Sequence, residues 1–449
     1  MAEGWIPDLD RSSGAKYVAI AEAIANAIET GALCAGDRLP TQRDLAARLG
    51  IDLTTVTRAY EQARMRGLIG ARGRAGSFVL PQDAIAAGPP PRDTGMNMPP
   101  EVAGGSLLAA WERTSSALLR APGAGGRLHY TPAGGREADR AAGAALFGRL
   151  GLASEPDQLV VTAGAQNALH AIVGATLKAG DVVACGMHVY PGFLAIAKKA
   201  GLRLAPLARI DADALEALCR RETIAALYVV PTNDNPTTVT LDADERAALA
   251  AAARRRGVRL IEDDAYGQLA EAVIAPLSSF APERGWYVAS ASKIISPALR
   301  IAHVRAPSVT DALAVAVEVH GSDVMPPPLN AALMTRWLED GSYDRLIAET
   351  RAEAVARQAI AAELLPAGSY AAHPCGYHLW VPLPGGAHPA RIAGALRATG
   401  MMAIAADDFA VGAVKAPALR VSLGGAIDRA GLWRGLAVLA RELAAVQAV

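Results

Sequence analysis

Lys293 stands in Ser290-Ala291-Ser292-Lys293, with Arg300 a short stretch beyond it. Its amine can form a Schiff base with an aldehyde, and the two hydroxyls and the guanidinium can surround a phosphate. Upstream, Glu262-Asp263-Asp264-Ala265-Tyr266 supplies carboxylates able to keep a pyridine nitrogen protonated, and a phenol. In Pro231-Thr232-Asn233-Asp234-Asn235-Pro236-Thr237 the Asn235 amide can donate to the same phenolic oxygen that Tyr266 can reach. Thr162-Ala163-Gly164-Ala165-Gln166 reads as a strand-to-helix turn whose N–H groups suit a phosphate. Taken singly these signals are ordinary: Asp-Asp is a common cap, Asn-Pro a common turn, and most lysines are solvated. Together they meet the demands of pyridoxal 5′-phosphate (PLP): an amine, an acid at the pyridine nitrogen, and donors around the phenolate and phosphate.

The elements that must position these groups are legible as strand ends. Leu159–Thr162, Val182–Ala184, Ala225–Val230, Arg259–Glu262 and Trp286–Ala289 are apolar runs with Ala-rich helical stretches between several of them. That rhythm predicts βαβ units, a mostly parallel sheet with flanking helices, and an α/β fold. Gly376–Pro382 reads as a further strand in a smaller, mixed α+β C-terminal part. The chain has 449 residues, 52% of them apolar and 20% charged, which gives material for two or three cores. Its four cysteines are scattered with no C-x-x-C pair, which argues against a disulfide framework or a zinc site and fits a reducing cytosol. No apolar run reaches membrane-spanning length uninterrupted, so no membrane association is expected.

The first eighty residues differ in chemistry. Tyr17, Ile20, Ile24 and Ile28 recur at helical spacing, and Gly31 closes that helix. Thr41 reads as the N-cap of a second helix ending at Leu49-Gly50, with Asp44 as its capping-box partner. A third helix, from Leu53 to Arg66, buries Val56, Tyr60 and Ala63. Leu68-Ile69 and Ser77–Leu80 flank a glycine-bearing turn, giving the order of a winged helix. Between residues 38 and 74, eight arginines face three acids, a balance of +5 in a chain whose net charge is zero. Thr54, Thr55, Thr57 and Arg58 fall off the apolar face of the third helix, where a DNA major groove could be met. A solvated face with an ordinary arginine excess fits the charge alone equally well. Residues 82–105, with Gly88-Pro89-Pro90-Pro91 and Pro99-Pro100, read as a linker.

Residues 17–80 resemble the winged-helix domain of GntR-type bacterial regulators. They carry G-x-L-x-x-G-x-x-L-P-[ST]-x-R-x-L-A, T-V-x-R-A-Y and a terminal G-x-F-V. By that resemblance Arg43, Arg58 and the wing from Arg72 to Gly76 would contact double-stranded DNA. Gly76 has a local reason as well, since a wing lying against the backbone needs a residue tolerant of positive φ.

Residues 106–449 resemble fold-type-I, class I aminotransferases, whose hallmarks include the N-P-T/G turn, D-x-A-Y and S-x-x-K. The resemblance makes Lys293 the Schiff-base lysine, Asp263 the partner of the pyridine nitrogen, and Asn235 and Tyr266 the phenolate donors. Gly164, Ala165, Gln166, Ser290, Ser292 and Arg300 match the phosphate group. Tyr190 matches the aromatic stacked on the cofactor ring, and Tyr130 the tyrosine lent across a dimer. Arg420, in Leu419-Arg420-Val421-Ser422, matches the clamp on a substrate carboxylate. Cys185-Gly186-Met187-His188 departs from the acidic, proline-containing sequence usual before the stacking aromatic, and leaves His188 without a role.

The two resemblances in this order are those of the MocR subgroup of GntR regulators. They imply a winged helix-turn-helix domain at 1–81, a linker at 82–105 and an aminotransferase-like domain at 106–449. The implied protein is a cytoplasmic, homodimeric, PLP-dependent transcription regulator that reads a small amine or amino-acid effector through Lys293, with no metal. An active aminotransferase with an appended DNA-binding domain, or a sensor of PLP itself, are the alternatives.

Overall fold

A computed structural model describes residues 5–7, 16–34, 36–65, 68–71, 76–79, 96–412 and 416–447. The chain divides into two compact units, Met1–Thr94 and Gly95–Val449.

In the first unit, helices α1 (Lys16–Glu29), α2 (Gln42–Leu49) and α3 (Leu53–Met65) precede the antiparallel strands β1 (Ile69–Ala71) and β2 (Ser77–Val79). The helical periodicity does what it predicts: Ile20, Ile24, Leu45, Val56, Tyr60 and Ala63 share one buried core. Burying each large apolar side chain contributes roughly 1.5–3 kcal/mol. Tyr60 is satisfied inside that core by donating its hydroxyl to Pro40 O at 2.8 Å. Thr41 caps α2 by accepting from Asp44 N at 3.2 Å. The Asp44 carboxylate does not complete the expected capping box; it pairs with Arg48 at 2.9 Å, one helical turn on. Gly76 has φ +102°, as a wing glycine requires, and packs against the Arg38 guanidinium. Arg72 and most of the linker lie outside the described residues.

The second unit holds a seven-stranded sheet in the order β3-β9-β8-β7-β6-β4-β5. Its strands are β3 (Leu159–Thr162), β4 (Val182–Gly186), β5 (Arg203–Leu207), β6 (Ala226–Val229), β7 (Arg259–Asp264), β8 (Gly285–Ser290) and β9 (Ala302–Arg305). All are mutually parallel except β9, which runs antiparallel between β3 and β8. Helices on both faces cover the sheet, so β3, β6 and β8 are buried along their whole length. The sequence does not announce β5, which carries Arg203 and Pro206. Proline is tolerated there because β5 is an edge strand.

A second, antiparallel sheet follows in the order β10-β11-β13-β12, from β10 (Ala371–Ala372), β11 (His378–Pro382), β12 (Ala403–Ala405) and β13 (Ala418–Ser422). The expected strand from Gly376 therefore begins two residues later. The expected linker also ends earlier than residue 105. Asn97 is only 2% exposed, and the segment after it bonds to Gly425, through Gly425 N to Pro99 O and Glu101 N to Gly425 O. No helix among the described residues is long and apolar enough to cross a membrane.

Candidate functional site

Five parallel strands, β3, β4, β6, β7 and β8, deliver chemistry from their carboxyl ends, the edge where open α/β sheets take ligands. The strand β7 carries Asp263, which is 4% exposed. Tyr228, on the neighbouring β6, donates its hydroxyl to Asp263 Oδ2 at 2.9 Å. Oδ1 is shut off from solvent and has no hydrogen-bond partner. Burial pushes the Asp263 carboxyl up to about 6; Asp264 adds to the rise, while Tyr228 and the charge of Lys293 oppose it. A buried carboxylate oxygen waiting for a donor suits a protonated pyridine nitrogen, whose charge would hold Asp263 ionised. Phe193 stacks on Tyr228 at 3.8 Å and fixes the ring that orients this acid.

The flanking acids do other work. Glu262 accepts from Leu277 N and Ser278 N at 2.8 and 2.7 Å, capping the short helix Leu277–Phe280. Asp264 accepts from Gly267 N at 2.9 Å and from Tyr287 Oη at 2.7 Å.

Lys293 follows β8 and is half-buried; Tyr377 holds its carbonyl with a 2.7 Å hydrogen bond. Its Nζ donates to the backbone oxygen of Asn97 at 2.5 Å. Burial lowers the amine to about 8, helped by the positive charges of Arg420 and Arg300 and opposed by Asp263. Tyr266, on the turn after β7, accepts from Asn97 Nδ2 at 3.1 Å, and burial pushes its phenol up to about 12. Asn235 precedes a cis proline, and its Oδ1 accepts from Arg420 Nη1 at 3.4 Å.

Arg420 lies mid-strand in β13, paired on both sides by β11 and β12, and is 1% exposed. Its guanidinium sits 5.6 Å over the Phe409 ring. It is a buried strand arginine and not a solvated one.

The residues expected to hold a phosphate gather where helix α4 (Ala165–Thr176) begins. Gly164 has φ +90° and makes no side-chain cap to that helix. A Cβ there would lie 3.0 Å from Arg300 Nη2, so only glycine lets the guanidinium close on the turn. Arg300 donates to Ala163 O at 2.9 Å, and the Ser290 and Ser292 hydroxyls stand 2.9 Å apart. Gln166 donates to Gly192 O at 3.1 Å, while its Oε1 is buried without a partner. Tyr190 is half-buried beside this turn; burial raises its phenol, and the charge of Asp263 adds to the rise. The amine, the acid with an open oxygen and the helix start without a side-chain cap fit PLP.

Tyr130 is not drawn into the site of its own chain, being 82% exposed. Among residues the sequence did not single out, Asn97, Tyr377, His378 and Ser422 belong here. Asn97 donates Nδ2 to Tyr266 and to His378 Nδ1 at 3.3 Å, and its Oδ1 accepts from Ser422 Oγ at 2.7 Å. His378 is fully buried and donates Nε2 to Asp234 O at 3.1 Å; burial drives its ring down to about 3. It is a neutral, fixed imidazole. His188 packs edge-on against Trp380 at 5.1 Å, an ordinary packing role.

In the winged unit, Arg43 and Arg58 are exposed, and Arg58 lies 5.0 Å over the Tyr17 ring. Thr54 is exposed and Thr55 half-buried. The Thr54 hydroxyl is held by Asp52 at 2.5 Å. Thr57 turns its hydroxyl to Gln42 Oε1 and Leu53 O, each at 2.9 Å. The two arginines thus lie at the surface, while two of the three threonines have their hydroxyls committed within the fold.

Residues 16–79 match the model of the bacterial regulatory proteins of the gntR family, and residues 102–358 that of aminotransferase class I and II. Over 98% of its length the chain is 26% identical to the uncharacterized HTH-type transcriptional regulator YdeF of Bacillus subtilis, covering 96% of that protein. It is 28% identical to the vitamin B6 salvage pathway transcriptional repressor PtsJ of Salmonella typhimurium, over 90% of this chain and 93% of the other. Among solved structures it resembles LysN, the alpha-aminoadipate aminotransferase of Thermus thermophilus. That structure, complexed with N-(5′-phosphopyridoxyl)-L-leucine, aligns with a TM-score of 0.70 at 26% identity, over 79% of this chain and 94% of that one.

Proposed function

The chain belongs to the class I and II aminotransferases, carries a gntR-family DNA-binding region ahead of that domain, and on that basis we propose that it is a PLP-dependent transcription regulator. The observation that carries the reading is Asp263 Oδ1, a buried acceptor without a donor, facing the same site as Lys293 and Arg420. When bound, PLP supplies an aldehyde carbon that exchanges amines reversibly and a ring that withdraws electrons. Lys293 provides the resident amine, Asp263 holds the ring nitrogen protonated, and Asn235 and Tyr266 donate to the phenolic oxygen. The start of α4, with Ser290, Ser292 and Arg300, takes the phosphate.

The effector is a small amine bearing a carboxylate. Its amine competes for the position held by Lys293, and its carboxylate pairs with the buried Arg420, whose planar fork suits that group. Two separated contacts select an amino acid over a simple amine. DNA recognition falls to Arg43, Arg58 and the wing.

The working form is a cytoplasmic homodimer. Val309, Leu313 and Val317 form an exposed apolar stripe at i, i+4, i+8 on one helix, and Tyr130 projects into solvent. Both are what a second copy would cover.

Titrating the PLP-loaded protein with amines and amino acids, while measuring affinity for its own upstream DNA, tests this reading. A ligand that shifts the cofactor spectrum should also change DNA affinity; a spectral shift with constant DNA affinity refutes regulation. A second reading, an active aminotransferase, is favoured by the completeness of the amine, acid and phosphate groups. It requires the amino-acid ligand to yield a keto acid over many turnovers.

A further inference from the structure

Resting on the cofactor reading above, we propose that Asn97 is a positioning residue of this site. Its carbonyl is the seat of the Lys293 amine whenever that amine is free, so the segment 96–101 reads the state of Lys293.

The seat is built from both ends. The Lys293 amine approaches Asn97 O to 2.5 Å. The carbonyl is held in place by its own side chain, which accepts from Ser422 Oγ at 2.7 Å and donates to Tyr266 and to the imidazole of His378. His378 takes this bond on Nδ1 because its Nε2 is engaged with Asp234 O. Downstream, Gly425 N bonds to Pro99 O and Glu101 N to Gly425 O, each at 3.2 Å. Gly424 must be glycine, because a Cβ there would overlap Met98 O. The segment is thus fastened along one side to β13 and its following turn, and at Asn97 to the cofactor lysine itself.

A lysine bound in a C=N bond is held at the aldehyde carbon and keeps at most one N–H. Asn97 O then loses its donor and is left as a buried acceptor, the costly condition for a carbonyl. An incoming amine that forms the new C=N bond breaks the old one and returns Lys293 as a free amine to Asn97. Residues 96–101 directly follow, in sequence, the stretch that leaves the winged helix. Effector binding at the cofactor is therefore converted into a tighter hold on the start of the large unit.

Two cofactor forms separate this from a merely structural role. PLP consumes the Lys293 amine, whereas pyridoxamine phosphate fills the same site and leaves it free. Backbone hydrogen exchange over residues 96–101 of the full chain should be at least about fivefold faster with PLP than with pyridoxamine phosphate, a loss on the scale of one hydrogen bond. The difference should vanish in Lys293→Ala; Asn97→Ala keeps the carbonyl but loses the side-chain bonds that hold it, and should shrink the difference. Equal exchange in the two forms of the native chain, with imine absorbance present, overturns the role of Asn97 alone. Failure of PLP to give any imine absorbance overturns the cofactor reading and this inference with it.

Discussion

Tyr228 donates to one oxygen of Asp263 and leaves the other buried without a partner. The chain so holds a carboxylate in a condition that costs stability until a cation arrives. That cost is the site's preorganisation, because no solvent shell must be stripped from the acid when the ring nitrogen binds.

Asp263→Asn should exchange affinity for stability. The folded carboxyl is raised from 3.8 to about 6, so its contribution to stability is full below pH 3.8 and lost as the pH rises through 6. Without cofactor, the variant should be more stable than the native chain at pH 7.5 by about 3 kcal/mol, and no more stable at pH 3.5. Urea unfolding at the two pH values measures this, and superimposable curves at pH 7.5 would contradict it. PLP affinity should drop by tenfold or more.

Lys293 should set the pH dependence of cofactor capture. The attacking species is the neutral amine, and burial brings its midpoint down to about 8. The rate of imine formation at fixed PLP should rise about tenfold per pH unit below 8 and level off above it. A rate still climbing at pH 10 would mean the lysine is solvated.

Arg420→Ala should relax effector choice without abolishing cofactor binding. Removing the buried guanidinium deletes a charge-assisted bond of about 1.5–3 kcal/mol, or roughly 10- to 100-fold in affinity for carboxylate-bearing amines. Amines without a carboxylate should bind as before. A uniform loss across both groups would place Arg420 outside the effector contact.

Arg58→Ala and Arg43→Ala should each weaken DNA binding and reduce the salt slope by about 1. Thr57→Val should instead lower the stability of the winged unit, because its hydroxyl is occupied by Gln42 and Leu53. If Thr57→Val alters operator preference while the unfolding temperature stays constant, the hydroxyl is reading bases after all.

Where a function is carried by local sequence, the sequence shows it. The turn after β7 can be read from Glu262 to Tyr266, because a buried parallel strand ending in three acids has little structural use beyond caps and cofactor contacts. The helix start at Gly164 is equally plain. Asn97 is hidden for the opposite reason. Its neighbours Met96, Met98, Pro99 and Pro100 have linker composition, and it is buried only through partners far along the chain, at Tyr266, His378 and Ser422. The strand β9 escapes notice because its pairing between β3 and β8 is antiparallel, interrupting the βαβ rhythm. The threonines of α3 mislead in a third way. Periodicity says which face a side chain leaves from, but not that Asp52 and Gln42 will claim its hydroxyl.

The overlap that a side chain on Gly424 would make with Met98 O has a consequence for how such chains can be recombined. A different reader of DNA could be spliced on ahead of Asn97. From Asn97 onward, one inserted or deleted residue would slide Pro99 and Glu101 off Gly425 and take Asn97 away from Lys293. The workable crossover point between modules therefore lies before Asn97, and shuffled genes that join later should lose their ligand response while keeping both folds.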